Sequence, residues 1–171
     1  MDASTVRQLV ARFQEAGIPV WLDGGWGVDA LLGRQTRAHR DLDLLVRVTD
    51  VVRLLRVCES AGFAACEGGP PHAFVLRDSQ GRGLDIHAVT FRPDGTAVHL
   101  MDDGNEWVFQ QGAFSGTGTV DGTPVLCLSP EAQVLCHAQG YQPAEKDKAD
   151  MQALEQAFNV KLPLSLRRTQ A

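Results

Sequence analysis

Val6, Leu9, Val10 and Phe13 recur at the three-and-four spacing of one helical face, so an amphipathic helix is expected over about residues 3–16, stopped by Gly17. Residues 18–22 form a short β-prone run. Gly24-Gly25 then turn the chain into a second helical pattern over residues 26–32, closed by Gly33. After a polar, basic loop at 34–40, Leu42, Leu44 and Val46 alternate with Asp41, Asp43 and Leu45, which is the period of a strand. Thr49 is placed to cap a helix over about 50–61, with Val51, Leu54, Leu55 and Cys58 on one face and Gly62 as its stop.

A β-rich middle follows. Residues 63–66, 73–77 and 83–90 read as strands, separated by turn chemistry at 68–71 and 78–81, with hairpin turns at Pro93-Asp94-Gly95 and 120–123. Residues 102–119 show no clear period. Ser129-Pro130-Glu131 is a helix start, with a capping serine, proline at the first position and an acid near the positive dipole end. That helix should reach about Gln139, with Gly140 beyond it. A last helix over about 144–158 carries Met151, Leu154 and Phe158 on one face. The order predicts an α+β (mixed α/β) fold, a mixed sheet flanked by helices with a helical C-terminal end. Residues 1–128 are expected as the main domain with a β-rich extension, and 129–171 as a helical segment packed on it in a single compact unit.

With 44% hydrophobic and 22% charged residues in 171, the chain can bury a real core. A net charge of −5 gives no support to non-specific nucleic-acid binding, although Arg34, Arg37 and Arg40 form a local basic patch. No apolar run is long enough to span a bilayer, and the first residues lack the basic start and apolar stretch of a secretory signal. Cys58, Cys66, Cys127 and Cys136 form no C-x-x-C pair and are expected as buried free thiols. Together these features predict a cytoplasmic protein. His39, His72, His87, His99 and His137 lack the spacing of a clustered metal site.

The chemistry lies in the carboxylates. Strand alternation puts Asp41 and Asp43 on one face and Leu42, Leu44 and Val46 on the other. Two carboxylates held that close repel each other and call for a cation, and Mg2+ takes oxygen ligands together with water and phosphate. In LDIHAV, Asp85 likewise faces away from Leu84, Ile86 and Ala88. If the two strands are neighbours, three acids converge, which suits two metal ions roughly 3.5–4 Å apart in phosphoryl or nucleotidyl transfer. Gly24-Gly25, between a strand and a helix, offer bare N–H groups and a helix dipole to a phosphate.

The stretch WLDGGWGVDALLGRQTRAHRDLDLLV resembles the nucleotidyltransferase superfamily, whose fold is that of the DNA polymerase β palm. Its signature is matched by Leu22, Gly24-Gly25, Asp41-Leu42-Asp43-Leu44 and the later Asp85. Within the superfamily it is most similar to the small lincosamide nucleotidyltransferases and the aminoglycoside 2''-nucleotidyltransferases. That subgroup's GGWxxDxxxGxxTRxHxDxD string runs without a gap from Gly24 to Asp43, and its K-D-x-x-D helix is matched at Lys146-Asp147-Lys148-Ala149-Asp150. The glycine pair carries no serine, as in that subgroup.

The resemblance implies a pair of Mg2+ ions ligated by Asp41, Asp43 and Asp85, with Asp85 also the candidate general base. It implies ATP or another NTP held by Gly24, Gly25, Arg37, Arg34, Lys146 and Lys148. His39 either orients Asp41 or touches the nucleotide, and His87 stands near the metal or the acceptor without ligating. Asp29, Trp21 and Trp26 are read as structural. The implied reaction moves NMP to a hydroxyl of a small acceptor of lincosamide or aminoglycoside type and releases pyrophosphate; a homodimer is compatible with it. Transfer to a protein or RNA, as in toxin–antitoxin pairs, and a catalytically silent nucleotide-binding module are the alternative readings.

Overall fold

The computed structural model describes residues 1–139 and 142–167. Helix α1 (Ala3–Glu15) begins where the Asp2 side chain accepts the Thr5 N–H at 2.8 Å, and it buries Val6, Leu9, Val10 and Phe13. Strand β1 (Val20–Asp23) leads directly into α2 (Gly24–Leu32), so the glycine pair lies within the first turn of the helix rather than ahead of it. The next elements are β2 (Asp41–Arg47) and α3 (Val51–Ser60). Thr49 is not the cap of α3: residues 48–50 form a 3-10 turn, and the helix starts after it without a side-chain cap.

Seven strands follow: β3 (Ala64–Gly68), β4 (Phe74–Arg77), β5 (Gly83–Phe91), β6 (Ala97–Leu100), β7 (Glu106–Phe109), β8 (Gly116–Val120) and β9 (Thr123–Cys127). Two of them, β7 and β8, begin inside the stretch whose period could not be read. The helices α4 (Pro130–Ala138) and α5 (Glu145–Phe158) complete the chain. Ser129 caps α4 on the Ala132 N–H, and Asp147 accepts the Ala144 N–H at the start of α5. The expected stop at Gly140 lies outside the described residues.

The sheet runs β3-β4-β5-β2-β1-β9-β8, with β6 on the far half of β5 and β7 beyond it. It is mixed: β2/β5 and β1/β9 pair in parallel and the other pairs are antiparallel. Leu22, Leu42, Leu44, Val46, Leu84 and Ile86 form one face, which packs under α1 and α3 as the main core. Trp21, Leu45, Val89 and Phe109 belong to a smaller cluster on the other face. Val28, Val134, Met151 and Leu154 join α2, α4 and α5 in a third. Phe158 is left out of it, 41% exposed, because the chain turns away at Asn159 in a left-handed conformation.

All four cysteines are free, but not all are buried: Cys66 is exposed on the edge strand β3 and Cys136 is half-buried. Burial pushes the Cys58 and Cys127 thiols up to about 12, which makes them inert packing groups. Among the described residues, no helix is long and apolar enough to cross a membrane.

Because Leu44 is fully buried between two strands and under two helices, Leu44→Ala is expected to cost about 3–4 kcal/mol in urea unfolding. A loss under about 1 kcal/mol would show that this face is not the core.

Candidate active site

The parallel register of β2 on β5 sets Asp43 directly opposite Asp85, and the antiparallel register of β1 on β2 sets Asp23 opposite Asp43. Residues paired in this way share a face. Asp41, two positions from Asp43, shares it too. The face presents four carboxylates across three adjacent strands, on the side away from the main core. The expected set of three is brought together, and Asp23 joins it. The signal for Asp23 was an acid at the end of an apolar strand, immediately before the glycine pair.

Asp43 accepts no hydrogen bond from the described residues. Burial first, then Asp23, Asp41 and Asp85, push its carboxyl well above the ordinary value of 3.8, against a smaller opposite effect of Lys146. Asp85 is also raised, chiefly by burial and then by Asp41 and Asp23, while His87 pulls it down. His87 Nε2 stands 3.5 Å from Asp85 Oδ1. No three Asp, Glu, His or Cys side chains among the described residues already enclose a point where an ion could sit.

Packing dictates both glycines. Gly24 has φ +55°, and a Cβ there would lie 2.1 Å from Asp43 Oδ2. At Gly25 a Cβ would lie 2.3 Å from His39 Nδ1 and 2.7 Å from Arg37 Nη2. The Gly24 N–H is already used: it donates to Asp23 Oδ1 at 2.7 Å.

The basic loop is tied down by a chain of side chains. Asp29, 2% exposed on α2, accepts the Thr36 N–H and hydroxyl and bonds His39 Nε2. Arg37 Nη1 lies 2.9 Å from His39 Nδ1. Guanidinium can only donate, so Nδ1 accepts and the imidazole proton sits on Nε2, toward Asp29. Arg37 in turn donates from Nε and Nη2 to the buried Asp150 of α5, at 3.1 and 2.7 Å to Oδ2. His39 therefore makes no bond to Asp41, contrary to one expectation, because both ring nitrogens are engaged elsewhere. Arg37 is committed mainly to a carboxylate rather than held free for phosphate. Arg34 is exposed and is not among the residues that line the cavity. Lys148 pairs with Glu145 at 2.8 Å, whereas Lys146 lines the cavity.

That cavity, about 400 Å³, is lined by Asp23, Gly24, Gly25, Asp41 and Asp43 together with Leu45, His87, His99, Met101, Trp107 and Phe109. Asp85 stands beside it through His87. His99 donates from Nδ1 to the Ala88 carbonyl at 2.9 Å, and burial holds its pKa down, so its Nε2 keeps a lone pair. The β6–β7 wall was not foreseen from the sequence.

The model of the family described as aminoglycoside-2''-adenylyltransferase matches residues 5–154. The chain belongs to that family. A lincosamide resistance protein of Staphylococcus haemolyticus is 34% identical over 84% of this chain and 88% of its own. A 2''-aminoglycoside nucleotidyltransferase of Klebsiella pneumoniae is 49% identical, but over only 25% of this chain and 24% of its own. Among solved structures, the lincomycin-bound lincosamide antibiotic adenylyltransferase LnuA superposes with a TM-score of 0.76 at 31% identity, covering 88% of this chain and 94% of that one. The aminoglycoside nucleotidyltransferase ANT(2'')-Ia with adenylyl-2''-tobramycin shares the fold, at a TM-score of 0.73 and 22% identity over 91% and 88% of the two chains. The palm-like mixed sheet expected from the sequence is therefore present, and the chain is a nucleotidyltransferase of the adenylyltransferase family. An all-oxygen donor set around an unpartnered carboxylate fits the hard divalent cation that such enzymes use.

Asp43 gives a pH signature. Its folded-state value lies above its unfolded one, so stability falls as pH rises through 3.8 toward the raised value and stays lower above it. Asp43→Asn should match wild type at low pH and exceed it in thermal stability at neutral pH without divalent cations. Identical profiles would contradict the crowding of charge. Separately, Arg37→Ala leaves Asp150, 5% exposed, without its cation and should cost about 3 kcal/mol. The Arg37→Ala/Asp150→Ala pair should cost less than the sum of its single changes; simple additivity in unfolding would deny the link.

Proposed function

We propose that the protein transfers AMP from ATP to a hydroxyl of a small lincosamide-type acceptor. The row of carboxylates across β1, β2 and β5, beside a cavity with an apolar second wall, is the observation that supports it most. Asp41, Asp43 and Asp85 would hold Mg2+, which when bound supplies charge neutralisation to the acids and the triphosphate. Asp85, half-exposed beside His87 and raised above the ordinary carboxylate range, takes the proton of the acceptor hydroxyl. The hydroxyl oxygen bonds the α-phosphorus, the bond to the β-phosphate oxygen breaks, and pyrophosphate leaves. Lys146 faces the triphosphate, and Gly25 gives it a close approach to the start of α2. Arg37 holds that approach in place through Asp150 and His39.

The acceptor wall of Leu45, Met101, Trp107 and Phe109 carries no carboxylate. An apolar wall suits an acceptor with an uncharged, partly hydrophobic body better than a polycation. The likeness to the lincosamide resistance protein, over 84% of this chain and 88% of that one, points the same way. ATP, Mg2+ and free thiols are all compatible with a cytoplasmic site of action.

With ATP and Mg2+, lincomycin is expected to gain one adenylyl group by mass with matching pyrophosphate release. Asp85→Asn should lower kcat by roughly 10²–10⁴-fold while leaving the fold intact. Modification of tobramycin in place of lincomycin would move the acceptor to the aminoglycosides, and label entering protein or RNA would overturn the small-acceptor reading.

A further inference from the structure

We propose that Asp23 is a working member of the cation-facing carboxylate set, clamping the start of α2 with one oxygen and presenting the other to the bound ion. This rests on the metal–nucleotide reading of the site. Asp23 is the cross-strand partner of Asp43, which is the partner of Asp85, so the three stand in one line over the sheet. Directly opposed like charges destabilise a strand pair. Asp23 adds a negative charge where Asp41, Asp43 and Asp85 already crowd together.

Capping alone does not account for that charge. Asp23 Oδ1 takes the Gly24 N–H at 2.7 Å, but asparagine or serine caps as well without adding a charge to the row. Its other oxygen makes no hydrogen bond with the described residues, and the residue lines the cavity. Asp43 packs against the same corner, since its Oδ2 lies where a Cβ of Gly24 would be, next to the N–H that Asp23 holds. Compensation from the protein is thin: among the described residues lining the cavity, Arg37 is bound to Asp150, which leaves Lys146 and, beside Asp85, His87 to face four acids. A divalent cation restores the balance. Through its two oxygens, Asp23 then couples the ion's position to the helix start against which a phosphate would lie. It is a positioning residue as well as a source of charge.

Asp23→Asn keeps an acceptor for the Gly24 N–H and removes only the charge, and Asp23→Ser serves the same purpose if the first variant folds poorly. Binding of Mn2+, alone and with a non-hydrolysable ATP analogue, is measured by calorimetric titration and by the rise in Tm. Asp23→Asn should melt no lower than wild type without metal, yet bind Mn2+ about tenfold more weakly and show a reduced Tm rise. Wild-type Mn2+ affinity in both Asp23 variants, with affinity lost in Asp43→Asn, would overturn the role of Asp23 and leave the site intact. Absence of any Mn2+ response in wild type, with or without nucleotide, would overturn both.

Discussion

Asp41–Arg47 of β2 lie in unbroken parallel register with Gly83–Val89 of β5, and that register is the constraint on which the site depends. A slip of one residue would turn Asp43 into the core and Leu44 out of it, along with every other side chain of the strand. The apolar face prevents such a slip, because Leu42, Leu44, Leu84 and Ile86 are fully buried beneath α1 and α3. Hydrophobic burial on one side of the sheet thus supplies the free energy that holds like charges together on the other. The carboxylates are placed at a cost, and the core offsets it.

The second organising element is the corner from β1 into α2. Asp23 ends the strand, Gly24 and Gly25 admit Asp43 on one side and His39 with Arg37 on the other, and Asp29 one turn later holds the loop. From there Arg37 reaches Asp150, so the helical C-terminal part is fastened to the mouth of the cavity by a charged contact as well as by the Val28, Val134 and Met151 seam. A segment remote in sequence therefore brings Lys146 to the acids. In the proposed reaction, that cation would face the triphosphate.

Asp41, Asp43 and Asp85 were legible in the sequence because period-two alternation separates polar from apolar faces whatever the partner strand. The helix start at Ser129-Pro130 was legible because capping is local. Asp23 was not, since an acid before two glycines reads equally as turn chemistry. Nor was the fate of Arg37: its partner Asp150 lies 113 positions away, and pairing at that range leaves no periodic trace. Arg34 shows the same limit from the other side, as loop composition does not say which arginine faces inward. Strand β7 escaped notice because it is short and mostly exposed, with no alternation for burial to impose. The part of the cavity wall it supplies, Trp107 and Phe109, was hidden with it.

In the proposed reaction, these carboxylates hold a divalent cation carrying a nucleotide. A crystal structure with Mn2+ and a non-hydrolysable ATP analogue, with anomalous scattering used to place the metal, tests it most directly. Manganese should be ligated by Asp41 and Asp43, with Asp85 turned toward the same ion or a neighbouring one and the triphosphate between the start of α2 and Lys146. Manganese bound elsewhere, or a nucleotide outside this cavity, would contradict it.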